Sequence, residues 1–169
     1  MQDLSTRRLC NALLLCALVS LLNACETGST GMRASVGSSA PEVRRAEAYY
    51  DAGRYESAAR KYEKLAQREN SDSYRLRAAE AWLLSDQWQR AQRILEPVDT
   101  ERLSDSERDR YSLYTADIAV KRGDPGVAIQ ILDEMTSVPD DLAAEAMRVR
   151  GTALFARGQP VEAIDILVE

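Results

Sequence analysis

A six-residue turn pattern occurs four times in this chain of 169 residues. Its first residue, glycine three times and aspartate once, suits the left-handed position that ends a helix. Its third residue is a large ring or a proline, and proline suits the first position of the next helix. Its sixth residue is always alanine, which indicates a close crossing of two helices. The four copies occupy residues 53–58, 86–91, 123–128 and 158–163.

The copies are 33, 37 and 35 residues apart, a period near that of tetratricopeptide repeat (TPR) helix pairs. The helix before each turn carries a small residue in the same frame. These residues are Ala46, Ala79, Ala116 and Gly151. We therefore predict an all-α, TPR-like helical-hairpin solenoid of about four helix pairs over residues 41–169. A generic helical bundle with chance alanines is the alternative.

Capping residues and prolines delimit the predicted helices. Ser104 and Glu107 form a capping-box pair at the head of the third long helix. Pro125 and Pro160 suit the first positions of later helices, and residues 139–140 open the fourth pair. The predicted helices span about residues 41–52, 55–68, 72–85, 88–96, 105–122, 125–135, 140–157 and 160–169.

Residues 1–24 are typical of a bacterial lipoprotein signal peptide. Arg7 and Arg8 form a positive n-region, and the apolar segment after them is too short for a comfortable membrane span. Residues 22–25, Leu-Asn-Ala-Cys, resemble the lipobox, whose cysteine is lipidated and becomes the new N-terminus. This resemblance implies that Cys25 is the lipid attachment site and that its acyl chains anchor the protein. The alternatives are an ordinary signal peptide with an incidental cysteine, and a twin-arginine export signal.

Residues 25–40 join the predicted anchor to the predicted solenoid. Their glycine- and serine-rich composition is that of a flexible tether, with a reach of roughly 20 Å. Cys10 and Cys16 lie in the segment that would be removed, so the mature chain would have no free thiol. An aspartate after Cys25 would resemble an inner-membrane retention signal, and Glu26 stands there instead. We therefore expect a lipid-anchored protein on the periplasmic face of the outer membrane.

The composition argues against several classes of function. The chain has no histidine, which is the commonest general base and metal ligand. Its net charge of −5 disfavours nucleic acid as a partner. It has no phosphate loop or nucleophile elbow, and its acidic pairs at 133–134 and 140–141 fall at helix ends. We predict a binding module and not an enzyme, with no cofactor, no metal and no small-molecule substrate.

A TPR-like solenoid binds through a concave face, which is lined by the first helix of each pair. The repeat frame places Glu47, Glu80 and Asp117 at the same position in three successive pairs. This acidic row with apolar flanks indicates a basic or amphipathic peptide as partner. A solvated face with no specific ligand is the alternative. The predicted partner-binding residues are Glu47, Tyr50, Glu80, Leu84, Asp117, Lys121 and Arg148, and the same face should carry Val43, Leu76, Leu113 and Thr152.

The lipobox, the tether and the TPR-like pairs together resemble the N-terminal part of the LpoA family of lipoproteins. The best matching stretches are residues 74–82, 91–95, 116–119 and 158–160. Members of that family are outer-membrane activators of a class A penicillin-binding protein, a peptidoglycan synthase. The resemblance therefore implies a role in peptidoglycan synthesis and cell shape, exerted by binding the synthase.

In that family a larger α/β domain follows the TPR-like part and makes the main contact with the synthase. The last predicted helix here has no capping helix after it, so we expect the chain to be a fragment. The first alternative is another TPR scaffold lipoprotein, such as one that serves outer-membrane β-barrel assembly. The second is an enzyme whose catalytic domain would lie downstream.

Overall fold

The computed structural model describes residues 39–135 and 138–168, with the side chain of Leu167 excepted. The chain divides into two units, Met1–Ala40 and Pro41–Glu169, and nearly all of the described residues belong to the second. The predicted signal peptide, Cys25 and most of the predicted tether lie outside the described residues.

The second unit is an all-α, TPR-like solenoid of four helix pairs, as predicted. No strand occurs within the described residues. The helices are α1 Ala40–Asp51, α2 Tyr55–Glu69, α3 Asp72–Leu84, α4 Trp88–Leu95, α5 Asp105–Arg122, α6 Pro125–Glu134, α7 Ala143–Ala156 and α8 Pro160–Val168. Their limits agree with the predicted ones to within one or two residues, except at the start of α7.

The fourth pair does not open as a helix at residue 140. A 3₁₀ turn, Asp140–Leu142, comes first, and α7 begins at Ala143. Pro139 keeps an extended backbone before this turn. Leu142 is buried at 5% exposure, so the short turn carries this leucine into the core before the helix begins.

The capping box at the head of α5 is confirmed. The Glu107 backbone N–H donates to the Ser104 hydroxyl at 3.4 Å, and the Ser104 backbone N–H donates to the Glu107 carboxylate at 3.1 Å. These bonds satisfy two backbone donors that a helix start otherwise leaves unpaired. They fix where α5, the longest of the described helices, begins.

The four turns adopt the left-handed conformation that the sequence pattern predicts. The values of φ are 68° at Gly53, 59° at Asp86, 95° at Gly123 and 79° at Gly158. In each turn the N–H of the next residue donates to the carbonyl five positions back, at 2.8 to 3.0 Å. This is the Schellman arrangement, and it satisfies carbonyls that the helix end leaves free.

The small residues that recur at the same positions of the repeats are buried, as predicted. Ala58, Ala91 and Ala128 are 0% exposed, and Ala163 is 3% exposed. The small position of each first helix, from Ala46 to Gly151, is buried as well. Small side chains at both positions let the backbones of the paired helices approach closely.

Successive helices pack in the order that a solenoid requires. From α2 onward each helix packs on the next one, and α5 also packs on both α3 and α7. One face of the unit is therefore built from the first helices of the pairs. Trp82 is fully buried among pairs one and two, and its Nε1 donates to the Glu63 carboxylate at 2.7 Å.

Within the described residues, no helix combines the length and the apolar character that crossing a membrane requires.

Replacement of Ala128 by leucine tests the close crossing between α5 and α6. Ala128 is 0% exposed, so the larger side chain should force the helices apart and lower the free energy of unfolding by about 1–3 kcal/mol. Urea denaturation followed by circular dichroism measures this change. Ala48→Leu, at an exposed position of α1, is the matched control and should change it by less than about 0.5 kcal/mol. Equal losses in both variants would contradict the prediction.

Candidate partner-binding groove

The first helices enclose a groove of about 460 Å³. All four pairs contribute to it, because its lining comes from α1, α3, α5 and α7 together with the second turn and the 3₁₀ turn before α7. The lining residues are Tyr50, Glu80, Leu83, Leu84, Asp86, Arg110, Tyr114, Asp117, Lys121, Asp141, Leu142, Glu145 and Arg148.

Six of the seven predicted partner-binding residues line this groove. Glu47 does not; it is exposed and lines a separate neighbouring hollow with Val43 and Leu76. The side chains of Arg110 and Tyr114 border both hollows, and they lie between Glu47 and the rest of the predicted row. The structure therefore brings Glu80 and Asp117 together in one groove and leaves Glu47 outside it.

Glu80 is held by hydrogen bonds from two directions. The Tyr50 hydroxyl donates to its Oε1 at 2.8 Å, which links the first pair to the second. Arg77 lies 3.5 Å from its Oε2. Burial, and then the negative charge of Glu80, raises the pKa of Tyr50 above its ordinary value. A tyrosine hydroxyl is already protonated at neutral pH, and this upward shift of the pKa favours the donor form further.

Asp117 is a buried carboxylate and not a free member of an acidic row. It is 4% exposed and pairs with the Arg148 guanidinium at 3.2 Å. Burial raises the pKa of Asp117, while the positive charges of Arg148 and Lys121 oppose that shift. Arg148 also donates to both oxygens of Glu145, at 3.0 and 2.6 Å. This cluster joins α5 to α7 and fixes the floor of the groove.

Two further ion pairs lie nearer the mouth of the groove. The Lys121 ammonium contacts the Asp86 carboxylate at 2.8 Å, and Arg110 pairs with Asp141. The side chain of Asp86 is 85% exposed.

Five of the polar residues on this face were not predicted to lie there: Asp86, Arg110, Tyr114, Asp141 and Glu145. For three of them, the spacing along a helix could have predicted this position. Arg110 and Tyr114 precede Asp117 and Lys121 at intervals of three and four residues, which puts all four on one face of α5. Glu145 precedes Arg148 in the same way on α7.

The groove is acidic overall and partly apolar. Five carboxylates and three cationic side chains line it. Leu83, Leu84 and Leu142 add apolar surface, and Leu84 is 44% exposed. An acidic groove with an exposed leucine suits a segment that presents both cationic and apolar side chains.

Among residues 39–135 and 138–168, no three carboxylate or thiol side chains are grouped as a metal site would need.

The family model described as tetratricopeptide repeat matches residues 113–168. The match runs from the middle of α5 to the end of α8, which includes the whole of the last helix pair. No curated protein and no solved structure shows a significant match to the chain. The match and the fold indicate a TPR-like protein-interaction scaffold, a class that is typically non-catalytic.

Replacement of Arg148 by methionine tests the buried cluster. The change leaves Asp117 buried without its nearest cation, so the free energy of unfolding should fall by about 1–3 kcal/mol at neutral pH. Arg150→Met is the matched control, because Arg150 pairs with Asp133, whose side chain is 58% exposed. That variant should lose at most about 1 kcal/mol.

The pH dependence of this loss gives a second readout. The penalty exists only while Asp117 is charged, and burial already raises its pKa. The difference between Arg148→Met and the unaltered protein should therefore shrink as the pH falls through the pKa of Asp117. A difference that is constant from neutral to acidic pH would contradict this account.

Proposed function

We propose that this chain is an outer-membrane lipoprotein on the periplasmic face, and that it regulates peptidoglycan synthesis by binding a class A penicillin-binding protein. In this proposal the groove binds a basic or amphipathic segment of the partner. The observation that carries the proposal is an acidic, partly apolar groove lined by all four helix pairs of a TPR-like solenoid.

The dimensions and charge of the groove support peptide binding. Its volume of about 460 Å³ lies within the range of about 300–1,000 Å³ that is usual for ligand pockets. The side chains of Asp86 and Asp141 are 85% and 58% exposed. Such carboxylates attract an approaching cationic segment and speed its association, whereas the apolar surface contributes to affinity once the segment is seated.

The N-terminal sequence supports the proposed location. The lipobox at residues 22–25 would place an acylated Cys25 at the membrane, and the tether after it would allow a reach of roughly 20 Å. A scaffold held in this way stays near the membrane but keeps its groove free to meet a partner in the periplasm.

The identity of the partner rests on the resemblance to the LpoA family. The alternative is a scaffold for outer-membrane β-barrel assembly, which would use the same fold and the same anchor. The two proposals differ in the protein that the groove binds, so binding measurements against both kinds of partner separate them.

Replacement of Cys25 by alanine tests the lipid anchor. The unaltered protein should sediment with outer membranes, and the Cys25→Ala variant should lose this association because it has no acylation site. Membrane fractionation and mass spectrometry of the mature N-terminus measure the effect. Cys16→Ala, in the predicted signal peptide, is the control and should remain in the membrane fraction. Retention of the Cys25→Ala variant would refute the lipoprotein proposal.

Charge reversal at Glu80 tests the groove and the partner together. Glu80→Lys places a cation inside the groove and should weaken binding to the purified periplasmic part of a class A penicillin-binding protein by tenfold or more, equivalent to about 1.4 kcal/mol. Calorimetric titration measures the affinity, and circular dichroism checks that the helices remain.

Glu47→Lys provides the matched control. Glu47 occupies the same frame position one repeat earlier but lies outside the groove. This variant should bind the synthase nearly as well as the unaltered protein. Equal weakening by both variants would refute binding through the groove. Binding to a β-barrel assembly component and not to the synthase would favour the alternative partner.

A further inference from the structure

Three cationic side chains of α5 and α7 form ion pairs with carboxylates that line the groove. Lys121 pairs with Asp86, Arg110 pairs with Asp141, and Arg148 pairs with Asp117 of α5 and with Glu145 of its own helix. Four of the five carboxylates that line the groove are thus already paired with cations of the groove itself, and the fifth, Glu80, is bound by Tyr50.

The three cations differ in how readily a cation of the ligand can displace them from their carboxylates. Arg148 is held by two carboxylates, and the side chain of Asp117 is only 6% exposed. Lys121 makes a single contact with Asp86, whose side chain is 85% exposed. A lysine ammonium is a compact charge on a flexible chain, and exposed pairs of this kind are worth little. Arg110 contacts Asp141, whose side chain is less exposed at 58%. The pair between Lys121 and Asp86 is therefore the most readily exchanged of these pairs.

Asp86 occupies the left-handed position of its turn, where the other three turns have glycine. Gly53, Gly123 and Gly158 occupy the equivalent place in the other three turns, and glycine adopts the left-handed conformation without steric cost. Asp86 adopts it with φ of 59°. The turn therefore does not require a carboxylate, and the one that stands there lines the groove.

We propose that Asp86 binds a lysine or arginine side chain of the partner segment, and that Lys121 is an internal competitor which that cation displaces. Leu84, which is 44% exposed, then contacts an apolar side chain of the same segment. This inference rests on the proposed binding of a basic segment in the groove, and it assigns the position that sets the affinity. Displaced Lys121 moves into solvent, where hydration compensates its charge.

Replacing Asp86 and replacing Lys121 should have opposite effects on the affinity for a basic peptide. Asp86→Gly preserves the left-handed turn and removes the carboxylate, so binding of a basic peptide should weaken by about two- to fivefold. Asp86→Asn, which also tolerates this conformation, should behave in the same way. Lys121→Met removes the competitor and should tighten binding by a similar factor. In the Asp86→Gly background the same Lys121→Met change should have no further effect.

The probe is a short fluorescein-labelled amphipathic peptide of leucine, lysine and alanine, and fluorescence anisotropy measures its affinity for the mature protein. A peptide with glutamate in place of lysine serves as the control ligand. Arg122→Met is the matched control variant, because it removes the same charge from an exposed residue that pairs with Asp124 outside the groove. It should leave the affinity nearly unchanged.

The outcomes separate this inference from the proposed function. Equal tightening by Lys121→Met and Arg122→Met, or tightening that persists without Asp86, would overturn the competitor role. Groove binding would still stand in that case if Glu80→Lys abolished the interaction. If the unaltered protein does not distinguish the lysine peptide from the glutamate peptide, both the groove's preference for basic segments and this inference are overturned.

Discussion

Each helix pair depends on two residues of the turn pattern. The first residue is left-handed and ends one helix, and the sixth residue is a buried alanine on the next helix. The Schellman hydrogen bond reverses the chain within a few residues, from Gly53 to Gly158. The alanine after each turn lets the second helix lie directly against the first. These constraints fix the geometry of every pair. Because each pair has nearly the same geometry, the pairs stack in one direction, and their first helices come together on one face.

The groove results from this stacking. The burial of each carboxylate in it determines how strongly that carboxylate needs a partner within the protein. Asp117, in the middle of α5, is covered by α7 and requires Arg148 as a partner. Glu80, whose side chain is more exposed than that of Asp117, is bound by Tyr50 of the preceding pair. Asp86 lies at the end of α3 and remains exposed. The same charge is thus buried and paired across two helices at one position and exposed at the surface of the groove at another.

The repeat frame predicted most of the candidate site but not its division. It placed Tyr50, Glu80, Leu84 and Lys121 on the face where the structure finds them. It treated Glu47 as equivalent to Glu80. The repeat frame predicts which side of its own helix a residue lies on, but it does not predict which side chains of neighbouring helices lie beside that residue. Arg110 and Tyr114 of α5 reach across that gap and separate the two hollows.

The sequence by itself determined the all-α solenoid, the four turns and the buried alanines. These features depend on backbone conformation and on residue size at fixed short spacings, which a single chain displays directly. Only the tertiary structure decided which side chain pairs with each carboxylate of the groove. The pairs between Lys121 and Asp86 and between Arg148 and Asp117 join residues that are 35 and 31 positions apart in the chain. Their contact depends on how adjacent pairs stack, and no local pattern in the sequence encodes that distance.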